Sequence, residues 1–250
     1  MARIVLVHGA FMGAWCWEPV TRALAEAGHS VQTVDLPGNG HDDTPASEAS
    51  LERYAERICG VLQSGSPALL VGHSMGGVAI TQAAARCPEQ VTGLVYVCAF
   101  APQDGQSLGD LVSYPEGAGD QVQAHMVVEG DVAVLRGEGA KRALMACTTP
   151  EQADWAEAGL TPQPLRPFVE KVELSGPNEA EFTALHRAYI VCTQDQAIPP
   201  ALQYRMSAQG FDLTTELDAD HLPWLSRAEE FLGVMTDIAG RPEFSGAAAG

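Results

Sequence analysis

Residues Gly72-His73-Ser74-Met75-Gly76 stand between the apolar run Ala68-Leu69-Leu70-Val71 and the helical run Val78-Ala79-Ile80. A G-x-S-x-G pentapeptide used for chemistry needs three things in order: a strand, a turn so tight that only small residues flank the serine, and a helix whose N-terminus faces a developing anion. By itself the pentapeptide also fits a glycine-rich turn whose serine merely caps a helix. Here the flanking patterns supply both strand and helix, so Ser74 is a candidate nucleophile. The chain around it has to be an α/β one.

The rest of the first half agrees. Strand patterns at Arg3 to Val7, Ser30 to Asp35, Ala68 to Gly72 and Thr92 to Cys98 alternate with helical stretches at Trp17 to Ala27, Leu51 to Gln63 and Met75 to Arg86. Such alternation builds a parallel sheet covered on both faces. It stops after Pro102 and resumes at Arg187, with strands Ala188 to Thr193 and Phe211 to Leu217, a helix opening at Pro199-Pro200, and a last helix from Ser226 to Ala239. The predicted organisation is a core of residues 1–102 and 187–240, a helical cap insertion over 103–186 after the fourth strand, and a flexible tail over 241–250. Within the cap, Thr149-Pro150-Glu151-Gln152 marks a helix start with a capping box, and Gly159 closes that helix.

A serine hydroxyl is a weak nucleophile until a base takes its proton, and in this arrangement the histidine comes last along the chain. Of the seven histidines, only His221 lies just past a late strand on a short loop before the final helix. The acid that orients it belongs at the end of the strand between cap and histidine, where Asp195 stands. Asp218 and Asp220 are rivals by proximity, but a neighbour on the same loop rarely reaches the far ring nitrogen. Asp35 precedes the nucleophile and is expected to organise the Leu36-Pro37-Gly38 turn. Two backbone amides must receive the oxyanion: that of Met75, after the nucleophile, and that of Ala10, in the loop after the first strand. Phe11, Met12 and Leu222 adjoin these positions and are the candidates for lining the site. Cap residues Tyr114, Met126, Leu135, Met145, Trp155, Phe168 and Phe182 suggest an apolar acyl pocket, although for any single one packing of the cap onto the core is the first expectation.

Composition narrows the partners. A formal net charge of -18 over 250 residues, with Lys141 and Lys171 the only lysines, excludes nucleic acid and disfavours anionic membrane surfaces. A neutral ester entering and an acid leaving suit that field. No apolar run reaches membrane-spanning length, and the strand-like run Ile4-Val5-Leu6-Val7 follows Met1 too closely for a signal peptide; the expected compartment is the cytoplasm. The six cysteines show no metal-binding spacing and read as free, buried thiols.

Together, Val7-His8-Gly9-Ala10-Phe11-Met12-Gly13-Ala14-Trp15, Gly72-His73-Ser74-Met75-Gly76-Gly77, Thr193-Gln194-Asp195-Gln196-Ala197-Ile198-Pro199 and Ala219-Asp220-His221 resemble the plant methylesterase and hydroxynitrile lyase branch of the α/β-hydrolases and its small bacterial esterases. The resemblance covers both core segments in order and the cap only loosely. It implies the α/β-hydrolase fold, a mostly parallel six-stranded sheet flanked by helices. It also implies no cofactor or metal, a small-molecule ester substrate and, often, a homodimer. Carboxylesterase, lactonase, carbon-carbon lyase and non-catalytic receptor all remain compatible with such a scaffold. Lyases of the resembling branch carry threonine where this chain has Gly9, glutamate where it has His73 and lysine where it has Leu222, which favours the esterase.

Overall fold

The first strand already shows how both faces of the sheet are covered. In the computed structural model, which describes residues 1–245, β1 (Arg3–Val7) lies between β2 (Ser30–Val34) and β3 (Ala68–His73), with Ile4 opposite both Val31 and Leu69. Side chains alternate along a strand, so Ile4 and Leu6 join a layer with Trp17, Leu24 and Phe231, whereas Val5 and Val7 join one with Tyr54, Ile58 and Ile80. Each such side chain taken from water contributes about 1.5–3 kcal/mol. Strand β4 (Val91–Val97) pairs with β3, then β8 (Arg187–Cys192) and β9 (Leu213–Leu217) complete a six-stranded parallel sheet in the order β2-β1-β3-β4-β8-β9.

Parallel strands need crossovers, and helices supply them. They are α1 (Glu18–Glu26), α2 (Leu51–Leu62), whose N-cap Ser50 accepts from the Arg53 amide at 3.2 Å, and α3 (Gly76–Arg86). Helices α2 and α3 lie side by side and are joined by a disulfide between Cys59 and Cys87. This corrects the expectation of six free thiols: Cys16, Cys98 and Cys192 are free and buried, and Cys147 is free but exposed. A bridge across 28 residues depends on helix packing, which cysteine spacing does not encode.

Between β4 and β8 come α4 (Leu108–Val112), α5 (Gln121–His125), β5 (Val127–Glu129), β6 (Val132–Val134), α6 (Gly137–Leu144), α7 (Pro150–Ala158), β7 (Gln163–Pro164), α8 (Arg166–Val169) and α9 (Glu179–Thr183). Helix α7 has the expected capping box, with the Thr149 hydroxyl accepting from the Gln152 amide at 3.3 Å and Gln152 Oε1 accepting from the Thr149 amide at 3.2 Å. The segment is not purely helical, however: β5, β6 and β7 form a small antiparallel sheet. Strands of two or three residues are too short to show a period of two.

After β8, α10 (Pro200–Ser207) precedes β9, followed by α11 (Pro223–Ser226), α12 (Ala228–Gly240) and α13 (Pro242–Ser245). The last helix expected from Ser226 to Ala239 is α12, which opens after Arg227, whose backbone (φ -143°, ψ 56°) is not helical; the short α11 precedes it. The expected flexible tail is also corrected at its start. Phe244 of α13 is buried, and its carbonyl accepts from Thr92 Oγ1 at 2.8 Å; residues 246–250 lie outside the described residues. Among the described residues no helix is long and apolar enough to cross a membrane.

Candidate active site

At the end of β3 the backbone turns sharply. Ser74 sits at φ +55°, in the left-handed region that L residues seldom occupy. A Cβ on Gly72 would meet the Gly76 carbonyl oxygen at 2.7 Å, and one on Gly76 would meet the His8 carbonyl oxygen at 2.6 Å. The small residues on either side of the serine are therefore steric necessities. The strained turn is held by its own main chain: the Ser74 amide donates to Val97 O at 3.3 Å, while Ser74 O accepts from the Gly77 and Phe100 amides, each at 3.0 Å.

His221 occupies the loop between β9 and α11, and its Nδ1 lies 2.8 Å from Asp195 Oδ2. Both side chains are essentially inaccessible to solvent. Asp195 follows β8, and its Oδ1 accepts from the Ala197 and Ile198 amides at 2.7 and 3.0 Å. Its Oδ2 also accepts from Gln203 Nε2 at 2.9 Å. Gln203 is fully buried on α10 and locked by three further bonds, donating to Ile198 O at 2.7 Å and to Cys192 O at 3.4 Å and accepting from the Cys192 amide at 3.0 Å. The sequence reading missed it, since a single glutamine inside a helix carries no pattern.

The rival acids point elsewhere. Asp218 is exposed and accepts from Gln194 Nε2 at 2.8 Å. Asp220 is buried, but its carboxylate accepts from the Cys147 amide at 2.7 Å, the Leu222 amide at 3.1 Å and Ser226 Oγ at 2.7 Å, tying a cap segment to the histidine loop. Burial pushes its carboxyl above the usual carboxylate range. Asp35 accepts from the Ala14 amide at 2.6 Å and the His41 amide at 3.3 Å, which holds the loop after β1 against the loop after β2.

Ser74 and His221 line one cavity of about 200 Å³ together with Ala10, Phe11 and Met75. The amides of Ala10 and Met75 have no hydrogen-bond partner among the described residues. Phe11, at φ +66°, faces this cavity, but the other two expected lining residues do not. Met12 and Leu222 are each 1% exposed and packed into the core beside Trp17 and Trp224. Neither is among the residues that line the cavity. The remaining wall is mostly apolar and comes largely from the cap, including Leu108, Val122, Met126 and Phe168. Of the apolar cap residues singled out in the sequence, Met126 and Phe168 reach it. A larger open groove of about 900 Å³ around Trp15 and Trp155 contains none of the candidate catalytic residues.

Two more histidines border the site. His8 Nε2 accepts from the Leu36 amide at 3.1 Å, so Nδ1 carries the proton and donates to Gly9 O at 2.8 Å. His73 Nε2 lies 2.8 Å from the carbonyl oxygen of His221. Burial pushes both below the ordinary histidine range, and His73 especially far, with the nearby His221 adding to the effect. Potential metal-ligating atoms of His73, Cys98 and His221 come within 4.8 Å of one another. Their chemistry suits positioning better: His73 Nε2 and His221 Nδ1 are hydrogen-bonded, and burial holds the Cys98 thiol well above its usual range.

The sequence model of the alpha/beta hydrolase family matches residues 4–234. Methylesterase 7 of Arabidopsis thaliana is 31% identical over 260 residues, covering 96% of this chain and 96% of that protein. Polyneuridine aldehyde esterase of Rauvolfia serpentina is 28% identical over 253 residues, covering 94% of each. A solved pyrethroid hydrolase from Sphingobium faniae JZ-2 superposes with a TM-score of 0.85 at 26% identity, over 96% of this chain and 98% of that one. Matched from β1 into α12 by the family model, and along nearly its whole length by an esterase, this chain belongs to the alpha/beta hydrolase family, in its methylesterase branch.

Proposed function

We propose that this chain hydrolyses a carboxylic ester of a small, largely apolar substrate through an acyl-enzyme formed on Ser74. The observation that carries the reading is one cavity wall, where a strained, left-handed serine stands beside an imidazole tied at 2.8 Å to a buried carboxylate. With Nδ1–H donated to Asp195, His221 presents Nε2 as the acceptor for the Ser74 hydroxyl proton. The freed oxygen attacks the ester carbonyl carbon, and the carbonyl electron pair moves onto the oxygen, which the Ala10 and Met75 amides receive. Collapse expels the alcohol oxygen, which takes the proton from His221. Water, deprotonated in turn by His221, attacks the acyl carbon; the bond to Ser74 Oγ breaks, Oγ takes the proton back from His221, and the carboxylic acid leaves.

A cavity of about 200 Å³ lies below the usual range for drug-sized ligands, which favours short or compact aromatic acyl groups and a small alcohol. The esterase names of the relatives agree with that reaction class. A lactone would react by the same steps. For a lyase the cavity lacks a cation to stabilise departing cyanide, since no lysine or arginine is among its lining residues and Leu222 is packed in the core.

The test is a set of substrates on purified protein: a p-nitrophenyl ester series, a lactone and mandelonitrile, with mass-spectrometric mapping of a serine-directed phosphonate. Ester turnover with the label on Ser74 is expected. Fast cyanide release without ester turnover, or a label elsewhere, overturns the proposal. The Cys59–Cys87 bridge fits an oxidising compartment better than the reducing cytoplasm expected from the sequence.

A further inference from the structure

The imidazole next to the nucleophile takes no part in the proton transfers above, yet it is completely buried and touches the base. We propose that His73 is a positioning residue for His221, its Nε2–H gripping the His221 carbonyl so that the base stands at a fixed depth beside Ser74. The proposal rests on His221 being the base.

A carbonyl oxygen only accepts, so the 2.8 Å contact places the His73 proton on Nε2 and leaves Nδ1 bare. Consistent with this, Nδ1 has no partner among the described residues. The ring cannot turn away easily. Its centroid is 4.8 Å from the Trp224 ring and 6.1 Å from the Trp17 ring, both in edge-on contact, and 4.5 Å from the His221 ring. Packing thus fixes the ring before the hydrogen bond forms, so little rotamer freedom is lost in making it.

Position 9 is shaped around the same ring. A Cβ on Gly9 would come within 2.8 Å of His73 Nδ1 and 2.7 Å of Ser74 Cβ. Gly9 is glycine because the imidazole and the nucleophile both lean on its α-carbon. The Cys98 thiol adds a longer donor contact, 3.5 Å, to the His221 carbonyl. The base is therefore held at two ends: Asp195 fixes ring and tautomer through Nδ1, and His73 fixes the main chain. Because His73 precedes Ser74 directly, this bond links the nucleophile turn to a loop 148 residues away.

The experiment compares His73→Leu, which removes the donor, with His73→Gln, which can restore one, by kcat and KM on a p-nitrophenyl ester. Ser74→Ala and His221→Ala serve as controls. Loss of alignment without loss of substrate contacts should lower kcat about tenfold or more in the leucine variant, leave KM unchanged, and be largely rescued by glutamine. In parallel, two-bond ¹H–¹⁵N correlation spectra of the wild-type protein should show His73 as the neutral Nε2–H tautomer, a readout independent of whether any variant folds. Wild-type kcat in His73→Leu, or an Nδ1–H tautomer, overturns the inference while inactive controls leave the ester-hydrolase reading standing. Full activity in Ser74→Ala or His221→Ala would instead sink that reading.

Discussion

The core and the cap of this molecule are built by opposite means. In the core, β3 and α3 put Ser74 where it is through residues adjacent in sequence, and even the glycines that permit the turn lie within the same pentapeptide. In the cap, the wall is assembled from α4, the α5 segment and α8, pieces of four or five residues, the last of them far along the chain from the other two. Chemistry thus sits on rigid, locally encoded elements, and selectivity on short elements that depend on the core for their placement. Changes in the first region should abolish turnover, and changes in the second should redirect it.

The largest effect should come from the nucleophile and base. Ser74→Ala and His221→Ala are each expected to lower kcat by about 10⁴–10⁶-fold with circular dichroism unchanged, because neither side chain supports the sheet. Steady-state kinetics on one ester with both variants settles it; a loss of only a few-fold in either would detach that residue from the mechanism. Next is the acid. Asp195→Asn places an amide among four donors, the Ala197 and Ile198 amides, Gln203 Nε2–H and His221 Nδ1–H, and should cost about 10³–10⁴-fold by destabilising the needed tautomer. Asp220→Asn should instead lower Tm with far less loss of kcat, because its bonds run to Cys147, Leu222 and Ser226. The reverse pattern would exchange the two assignments.

The same contrast decides what could be read in advance. The six core strands, the serine turn and the Asp195–His221 pair were legible because parallel strands write near-continuous apolar runs, and a nucleophile turn requires small residues at fixed offsets. Gln203 was not legible, as its role exists only once α10 packs behind Asp195. Nor were Met12 and Leu222 placed correctly: adjacency in sequence to a site residue does not fix which way a side chain points, and both pack into the core. The small cap sheet escaped because its strands are shorter than the period that would reveal them. The disulfide is likewise a product of the α2–α3 packing.

That disulfide gives the third prediction, on the stability of the core alone. Closing a loop across 28 residues stabilises by about 3–4 kcal/mol in the chain-entropy account. Reduction, or Cys59→Ser with Cys87→Ser, should therefore lower the denaturation midpoint in urea without altering KM. An unchanged midpoint would mean that the two thiols are not bridged in solution.

Acid should weaken the core in a narrower window. His8 and His73 are buried and pushed below the ordinary value of 6.5, so the unfolded chain binds their protons more readily than the folded one. Their contribution is fully present above pH 6.5 and is lost as pH falls from there through the depressed folded values. The raised carboxyl of Asp220 acts the other way, its stabilising share being lost as pH rises. The clean measurement is thus a difference: Tm against pH for wild type and for His73→Gln, with the variant showing the shallower fall on the acid side. Parallel curves would show that His73 is not a buried neutral group.

The smallest expected effect belongs to the cap. Phe168 of α8 and Met126 after α5 line the same cavity as Ser74 and His221, and neither is a hydrogen-bond partner of the Asp195–His221 pair. Trimming either to alanine opens the wall, and each methylene newly accommodated is worth about 1–3 kcal/mol of discrimination. Phe168→Ala and Met126→Ala should therefore raise kcat/KM for longer acyl chains relative to acetate about tenfold, by the same scale, while kcat on the short ester stays near wild type. The measurement is a chain-length series of p-nitrophenyl esters on the three proteins. If the short ester loses as much as it does in Ser74→Ala, these side chains hold the catalytic geometry and the division of labour between core and cap fails. If the chain-length profile does not move at all, the acyl group lies elsewhere. The cavity wall then belongs to the alcohol.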